Sequence, residues 1–271
     1  MNRAVAVIGA TGLQGGSVLR ALHATGKYKL SALTRDTSNS SATKLKNEYP
    51  DVELVQANLN DIESLKHAFK GVDIVFGVTS YDQPDIQSCV AAGDYDAEFR
   101  QGKNVADAAI ASGVKDIIFS TMYSISDLSN GKCKDAYQFD GKDKIEKYIR
   151  SKSSEIRSAF IQLGYYMENS LSLSRISPED NATIEFAFPS KPTTKLAFVD
   201  VTNDTGAVVS YMLDNFDDFV GKTMPVSGGY YEAQELMNAF TEVTGKPARY
   251  VQVPSEGYTN EGIERMFKRY D

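Results

Sequence analysis

Near the start of the chain, Gly9-Ala10-Thr11-Gly12-Leu13-Gln14-Gly15-Gly16 has the residue types and spacing of a loop that can hold a pyrophosphate. Glycines permit a sharp turn and let the main chain come close to an anion. A helix opening here then offers its unpaired N–H groups and the positive end of its dipole. The spacing is Gly-x-x-Gly-x-x-Gly, a variant of the Gly-x-Gly-x-x-Gly dinucleotide fingerprint. Context strengthens the signal, because the string follows an apolar β-branched run and precedes a helix-period segment. A glycine-rich turn without a ligand is the competing reading.

About 20 residues past such a loop, the end of the second strand meets the adenosine ribose. Here that strand ends Leu33-Thr34-Arg35-Asp36. A guanidinium at Arg35 suits a 2′-phosphate, with Thr34 or Ser38 as further donors. Asp36, shifted by one residue, would instead accept from a 2′-hydroxyl and serve NAD. The balance favours NADP(H), and a solvated surface arginine is the third possibility.

These groups need elements to position them. Apolar runs of strand length occur at Ala4–Gly9, Lys29–Thr34, Val52–Ala57, Asp73–Thr79, Asp116–Ser120 and Ser158–Leu163. Helix-period segments alternate with them: Gly16–His23, Thr43–Tyr49, Ile62–Phe69, Glu98–Ser112 and Lys142–Ser151. Asp61 can cap the third of these helices, while Gly71 and Gly113 can stop the third and fourth. Such alternation predicts an α/β fold, a Rossmann-type doubly wound parallel sheet covered on both faces. The tract Thr37–Thr43 reads as an exposed loop.

After Leu163 the pattern changes. Thr183–Phe188 and Lys195–Val201 flank Pro189-Ser190-Lys191-Pro192 and predict a hairpin or two loosely joined strands. Helices are expected at Thr205–Leu213, Tyr231–Thr244 and Ser255–Tyr270, with a short strand near Arg249–Val253. We expect a Rossmann domain over residues 1–163 and a smaller, partly discontinuous α+β lobe over residues 164–271, the two forming a cleft.

Composition narrows the function classes. The 271 residues carry 29 Lys+Arg against 36 Asp+Glu, a net charge of −7, which disfavours direct capture of nucleic acid. No apolar run approaches the ~20 residues of a membrane helix. Cys89 and Cys133 stand in unrelated contexts, with no metal or redox spacing. The sequons at Asn39, Asn181 and Asn203 read as chance. With no signal peptide in the sequence, a cytoplasmic location is expected, with the nucleus as a second possibility.

The strings Gly9-Ala-Thr-Gly-x-Gln-Gly-Gly-Ser-Val18, Leu33-Thr-Arg35 and Phe139-Asp-Gly-Lys142 with Glu146-x-Tyr148 together resemble the NmrA-like family. That family is an atypical branch of the short-chain dehydrogenase/reductases. Tyr166-Met167-Glu168-Asn169 is similar to its Tyr-Phe-Glu-Asn segment. The match runs over most of the chain and fades near Met266–Phe267, so a shortened tail is expected. The resemblance implies an NADP-binding domain in which Gly9, Thr11, Gly12, Leu13, Gln14 and Gly15 line the pyrophosphate. It further implies Arg35 at the 2′-phosphate, Asn58 and Leu59 beside the adenine, and Thr79 near the nicotinamide ribose. Lys142 would reach that ribose, and Tyr166, Met167, Glu168 and Asn169 would border the nicotinamide. Asn58 departs from the Asp common at its position.

The superfamily's usual Tyr-x-x-x-Lys dyad is not intact. Tyr137 lies five residues before Lys142, and the extra residue turns the side chain about 100° further round a helix. Tyr137 and Lys142 remain the candidate catalytic pair only if the chain breaks near Gly141. Tyr148-Ile-Arg-Ser-Lys152 has the right spacing but lies too deep in its helix. Ser120 and Tyr123 are further candidate hydroxyls. His23 and His67 read as surface or packing residues, and no metal-ligand cluster or nucleophile elbow is present. Two functions follow: an NADP(H) redox-state sensor acting through a regulatory protein partner, or an NADPH-dependent reductase of a small carbonyl, enone or quinone. The sequence leaves the oligomeric state open.

Overall fold

The computed structural model describes residues 3–172 and 174–254. The expected helix Ser255–Tyr270 therefore lies outside the described residues. Strand and helix alternate as β1 (Arg3–Ile8), α1 (Leu13–Thr25), β2 (Tyr28–Thr34), α2 (Ser40–Glu48), β3 (Glu53–Gln56), α3 (Ile62–Ala68) and β4 (Ile74–Gly77). There follow α4 (Pro84–Ala91), α5 (Ala97–Ala111), β5 (Asp116–Thr121), the single turn α6 (Ile125–Leu128), α7 (Tyr137–Ser151) and β6 (Arg157–Leu163).

The described chain divides into two compact units. The first comprises residues 3–124, Gln138–Gln162 and Val201–Val226. Its sheet runs in the order Thr223–Val226, β6, β5, β4, β1, β2, β3, and the six strands β1–β6 pair in parallel. This is the expected Rossmann-type sheet, and its strand order reverses between β4 and β1. In such a sheet the crevice beyond the carboxyl ends of the strands at the reversal is where ligands bind. The continuous apolar strands are buried on both faces: Val5, Ala6 and Val7 of β1, Ile74 and Val75 of β4 and Ile117 of β5 have no exposed surface. Phe69, Phe119, Phe160, Ile145 and Ile149 fill the core beside them.

Local signals account for the helix ends. Asp61 accepts from the N–H groups of Glu63 and Ser64 at the start of α3, and Gly71 follows at φ +75°. The end of the tract read as a loop instead forms the first turn of α2, which starts three residues earlier than expected. Asn39 accepts from the Ala42 N–H at 2.8 Å, which caps a helix whose Ala42 and Leu45 are buried. Helix α7 starts at Tyr137, five residues earlier than expected, and runs unbroken through Gly141.

The chain returns late to finish this unit. The helix Val201–Asp214 docks on α1, where the Gly206 N–H donates to Ser17 Oγ at 2.9 Å. Arg150 of α7 then donates to Gly221 O and Thr223 Oγ1, fastening the edge strand.

The second unit comprises Ile125–Tyr137, Leu163–Asp200 and the described residues from Ser227 onward. It contains β7 (Tyr165–Tyr166) and α8 (Met167–Ser172). One three-stranded sheet joins Gly229–Tyr231, Leu196–Val199 and β7, and another joins Ala248–Gln252, Ile184–Phe188 and Ser174–Ile176. Of the two expected arrangements the hairpin is not formed, and Ile184–Phe188 and Leu196–Val199 are instead two separate strands in different sheets. The connection carries Pro189 and Pro192, which cannot donate to a ladder, and Ala248–Gln252 pairs with Ile184–Phe188 instead.

Glu185 cross-links the second sheet. It accepts from Arg249 Nη2 at 2.5 Å and from Arg175 Nε at 2.8 Å. The Arg249 hydrogen bond, then that of Arg175, lowers its carboxyl from 4.5 to about 2. Its stabilising effect is therefore complete above the unfolded value of 4.5 and is lost as pH falls through about 2. The melting-temperature advantage of the native chain over Glu185→Gln should be constant above pH 5 and shrink steadily in more acid solution. A pH-independent difference would contradict that assignment.

Candidate functional site

At the reversal point the chain turns from β1 into α1 with no room for side chains. Gly9 has φ +67°, and the Gly12 N–H closes the turn onto Gly9 O at 2.8 Å. A Cβ on Gly15 would stand 2.3 Å from Gly9 O and 2.6 Å from Ile8 O, so the helix lies directly on the strand backbone. Helix α1 has Gly12 at its N-cap with no side-chain hydrogen bond, and its first turn contains no acidic residue. Its positive end is consequently left for an anion. Thr11, Gly12 and Leu13 are exposed here, and Gln14 is half-buried.

Beyond β2, Arg35 is exposed and its Nη1 lies 3.9 Å from Asp85 Oδ1. The other Asp85 oxygen, Oδ2, accepts from Asn60 Nδ2 at 2.7 Å and Gln101 Nε2 at 2.9 Å. Asp36 is committed to its own turn: Oδ1 accepts from Ser38 Oγ at 2.6 Å and from Ser38 N at 2.8 Å, which lowers its carboxyl pKa. Thr34 Oγ1 donates to Asp36 O at 3.2 Å. Both hydroxyls considered as extra phosphate donors are thus engaged by Asp36. Asn58 is exposed and accepts from the Asn60 N–H at 3.0 Å. Leu59 packs on the core, and its carbonyl accepts from Asn104 at 2.9 Å.

Thr79, just past β4, is buried and donates to Glu98 Oε1 at 2.8 Å. Lys142 Nζ donates to Thr79 O at 2.7 Å, lies 3.1 Å from Thr79 Oγ1 and forms an ion pair with Glu98. The Glu98 side chain is 2% exposed, and its Oε2 has no hydrogen-bond partner among the described residues. The ammonium of Lys142 is thereby engaged on three sides. Tyr137 opens the same helix and donates to Asp135 Oδ1 at 3.2 Å. The break near Gly141 that would bring Tyr137 round to Lys142 does not occur. Tyr148 donates to Asp107 Oδ1 at 2.5 Å under the Lys103 ammonium, a structural use of that hydroxyl. Ser120 is buried in β5, and Tyr123 is exposed.

In the second unit, Tyr166 ends a strand paired with Val199, and Met167, Glu168 and Asn169 form the first turn of α8. No group of three or more His, Cys, Asp and Glu residues could hold a metal among the described residues. There, too, no helix is long and apolar enough to cross a membrane.

Sequence reasoning missed Glu98, Gln101 and Asp85. For the first two a signal existed: Glu98, Gln101, Gly102, Val105, Ala108 and Ala109 share one face of α5, so two polar residues sit on its buried stripe.

The family model that describes the NmrA-like family matches residues 1–270. The chain belongs to the NmrA-like family. An NmrA-like family domain-containing protein of Dictyostelium discoideum is 30% identical over 255 residues, covering 92% of this chain and 80% of that protein. The NmrA-like family domain-containing oxidoreductase cpsB of Aspergillus campestris is 29% identical over 274 residues, covering 97% and 79%. Among solved structures, NmrA, a negative transcriptional regulator, in complex with NADP superposes with a TM-score of 0.81. It is 25% identical, with all of this chain and 83% of that one covered.

Removing one member of a buried pair strands the other charge, at about 3–5 kcal/mol. Lys142→Met should therefore destabilise the chain on that scale in urea, and Lys142→Met with Glu98→Gln should recover most of the loss. Equal stabilities for the single and double variants would show that Glu98 is not the group left uncompensated.

Proposed function

We propose that this NmrA-like chain binds NADP(H) along the crevice between β1 and β4 and reports its redox state to a protein partner. The observation that carries the binding reading is the side-chain-free contact of Gly15 with Gly9 beneath an uncapped helix end. In this reading Gly9, Thr11, Gly12, Leu13, Gln14 and Gly15 take the pyrophosphate, Arg35 the 2′-phosphate, and Asn58 and Leu59 the adenine side. Thr79 and Lys142 take the nicotinamide ribose, with Tyr166, Met167, Glu168 and Asn169 bordering the nicotinamide. The bound dinucleotide supplies a hydride couple. The NADP-bound regulator NmrA, described above, supports this assignment.

Two features favour sensing over turnover. Lys142 is engaged by Thr79 and Glu98, and Tyr137 lies five residues from it on an unbroken helix. The reductase reading keeps a specific support in the oxidoreductase relative and in the retained Lys142.

The 2′-phosphate assignment is testable at two residues. Arg35→Ala should weaken NADPH binding by about 1.5 kcal/mol, roughly tenfold, the lower end for a charged hydrogen bond at an exposed site. NADH binding should hardly change. Asp85→Asn should act in the opposite sense, because a carboxylate facing a phosphate repels it by about 1–4 kcal/mol between the bulk-water and protein-surface limits. Calorimetric titrations with both cofactors decide this, and equal losses for NADPH and NADH would place the 2′-phosphate elsewhere.

Sensing and turnover separate in one cuvette. NADPH should saturate the protein without oxidation at 340 nm when aldehydes, ketones, enones and quinones are added. Saturable oxidation that disappears in the folded Lys142→Met/Glu98→Gln variant would establish the reductase instead.

A further inference from the structure

The second unit holds a hollow that takes no part in the dinucleotide reading. It measures about 440 Å³, including the part open to solvent, and lies wholly among residues of that unit. Tyr165, Phe186, Phe188, Phe198, Tyr231 and Tyr250 line it, and none of its lining residues carries a charge. Protein interiors close-pack and leave few voids larger than a water molecule. Here several large apolar side chains stay half-exposed instead, Tyr165, Phe188, Leu196 and Tyr231 among them.

The lining defines the guest. A bound ion would lose its hydration with no opposite charge to replace it, so the hollow selects neutral molecules. Aromatic rings favour offset or edge-to-face partners at 4.5–7 Å. The wall already shows that geometry, with Tyr165 edge-on to both Phe188 and Phe198 at 5.3 Å. A flat ring is thus held more firmly here than an alkyl chain of equal area. The polar groups are few. Tyr250 donates to Ser190 O at 2.5 Å and lies 3.3 Å from Ser190 Oγ, while Ser170 and Thr194 add hydroxyls to the lining. Such sparse polar groups in an apolar pocket orient a small ligand through one hydroxyl or carbonyl.

We infer that this hollow is a second ligand site, for a neutral planar molecule of one or two fused aromatic rings bearing one polar substituent. Tyr165 and Ser170 immediately flank Tyr166–Asn169 in sequence, so a guest touches the two ends of the segment assigned to the nicotinamide. The site itself does not depend on that assignment.

The test is calorimetric titration of the full chain with three probes: 2-naphthol, naphthalene-2-sulfonate and 1-octanol. The expected result is one-to-one binding of 2-naphthol, at least ten times tighter than the anionic or alkyl probe. Ala233→Phe should fill the hollow and abolish that binding, and Thr194→Leu gives a second fill from another wall should the first variant fold poorly. Comparable affinity for all three probes, no binding of 2-naphthol, or unchanged binding in a folded filled variant would overturn the inference. A parallel NADPH titration keeps the two readings apart. Loss of NADPH binding with 2-naphthol binding intact counts against the dinucleotide site alone, and the reverse counts against the hollow alone.

Discussion

The contact between Gly15 and the carbonyls of Ile8 and Gly9 fixes how α1 lies on β1, and much of the first unit depends on it. With a Cβ only 2.3 Å from Gly9 O, any side chain at Gly15 would lift α1 off β1. Lifting α1 would also displace its partner helix, since Ser17 on the next turn receives the Gly206 N–H. That partner helix, Val201–Asp214, returns the chain from the second unit, and the edge strand Thr223–Val226 follows it into the sheet. A local demand of a tight glycine turn is thereby coupled to how a distant stretch of sequence completes the fold.

The Lys142–Glu98 pair imposes a second constraint with a different balance. A buried ion pair adds little net stability, because desolvation offsets most of the attraction, yet it holds geometry firmly once formed. Glu98 is almost wholly buried and already takes the Thr79 hydroxyl, so Lys142 is drawn onto the loop beyond β4. A lysine so held is well placed to hydrogen-bond but poorly placed to move, and a general acid must release its proton during the reaction. That contrast, more than the displaced tyrosine, inclines the site toward binding over proton transfer.

Much of the first unit was legible because its signals are local. Continuous β-branched runs marked β1 and β4, Asp61 and Gly71 marked the ends of α3, and the glycine string marked the turn into α1. The start of α2 was placed three residues late because the Ser- and Thr-rich composition there favours loops, while a single cap at Asn39 and the burial of Ala42 and Leu45 reverse that preference. The hairpin failed for a non-local reason: the partner of Ile184–Phe188 arrives some sixty residues later, as Ala248–Gln252. In the candidate site, Arg35 could be read as a cation at a strand end. Its facing carboxylate could not, because Asp85 is brought there by α4 and held by Asn60 from the loop before α3 and by Gln101 from α5.

The charge pattern around Arg35 bears on which dinucleotide the site prefers. Asp36, whose position next to Arg35 suits a ribose hydroxyl, has Oδ1 occupied by the Ser38 hydroxyl and amide. Only Oδ1 is so used, and Oδ2 of the exposed Asp36 can still accept from a ribose hydroxyl with the turn intact. Arg35 meets a different situation, since its guanidinium is exposed and its nearest acid oxygen, the buried Asp85 Oδ1, is 3.9 Å away, beyond hydrogen-bond reach. An incoming phosphate, which carries more charge than a carboxylate and offers three oxygens, can displace Asp85 from the guanidinium without first dismantling local structure. The two neighbours thus offer an adenosine ribose two different partners, a carboxylate oxygen and a guanidinium, and in the reading proposed above it is Arg35 that takes the 2′-phosphate.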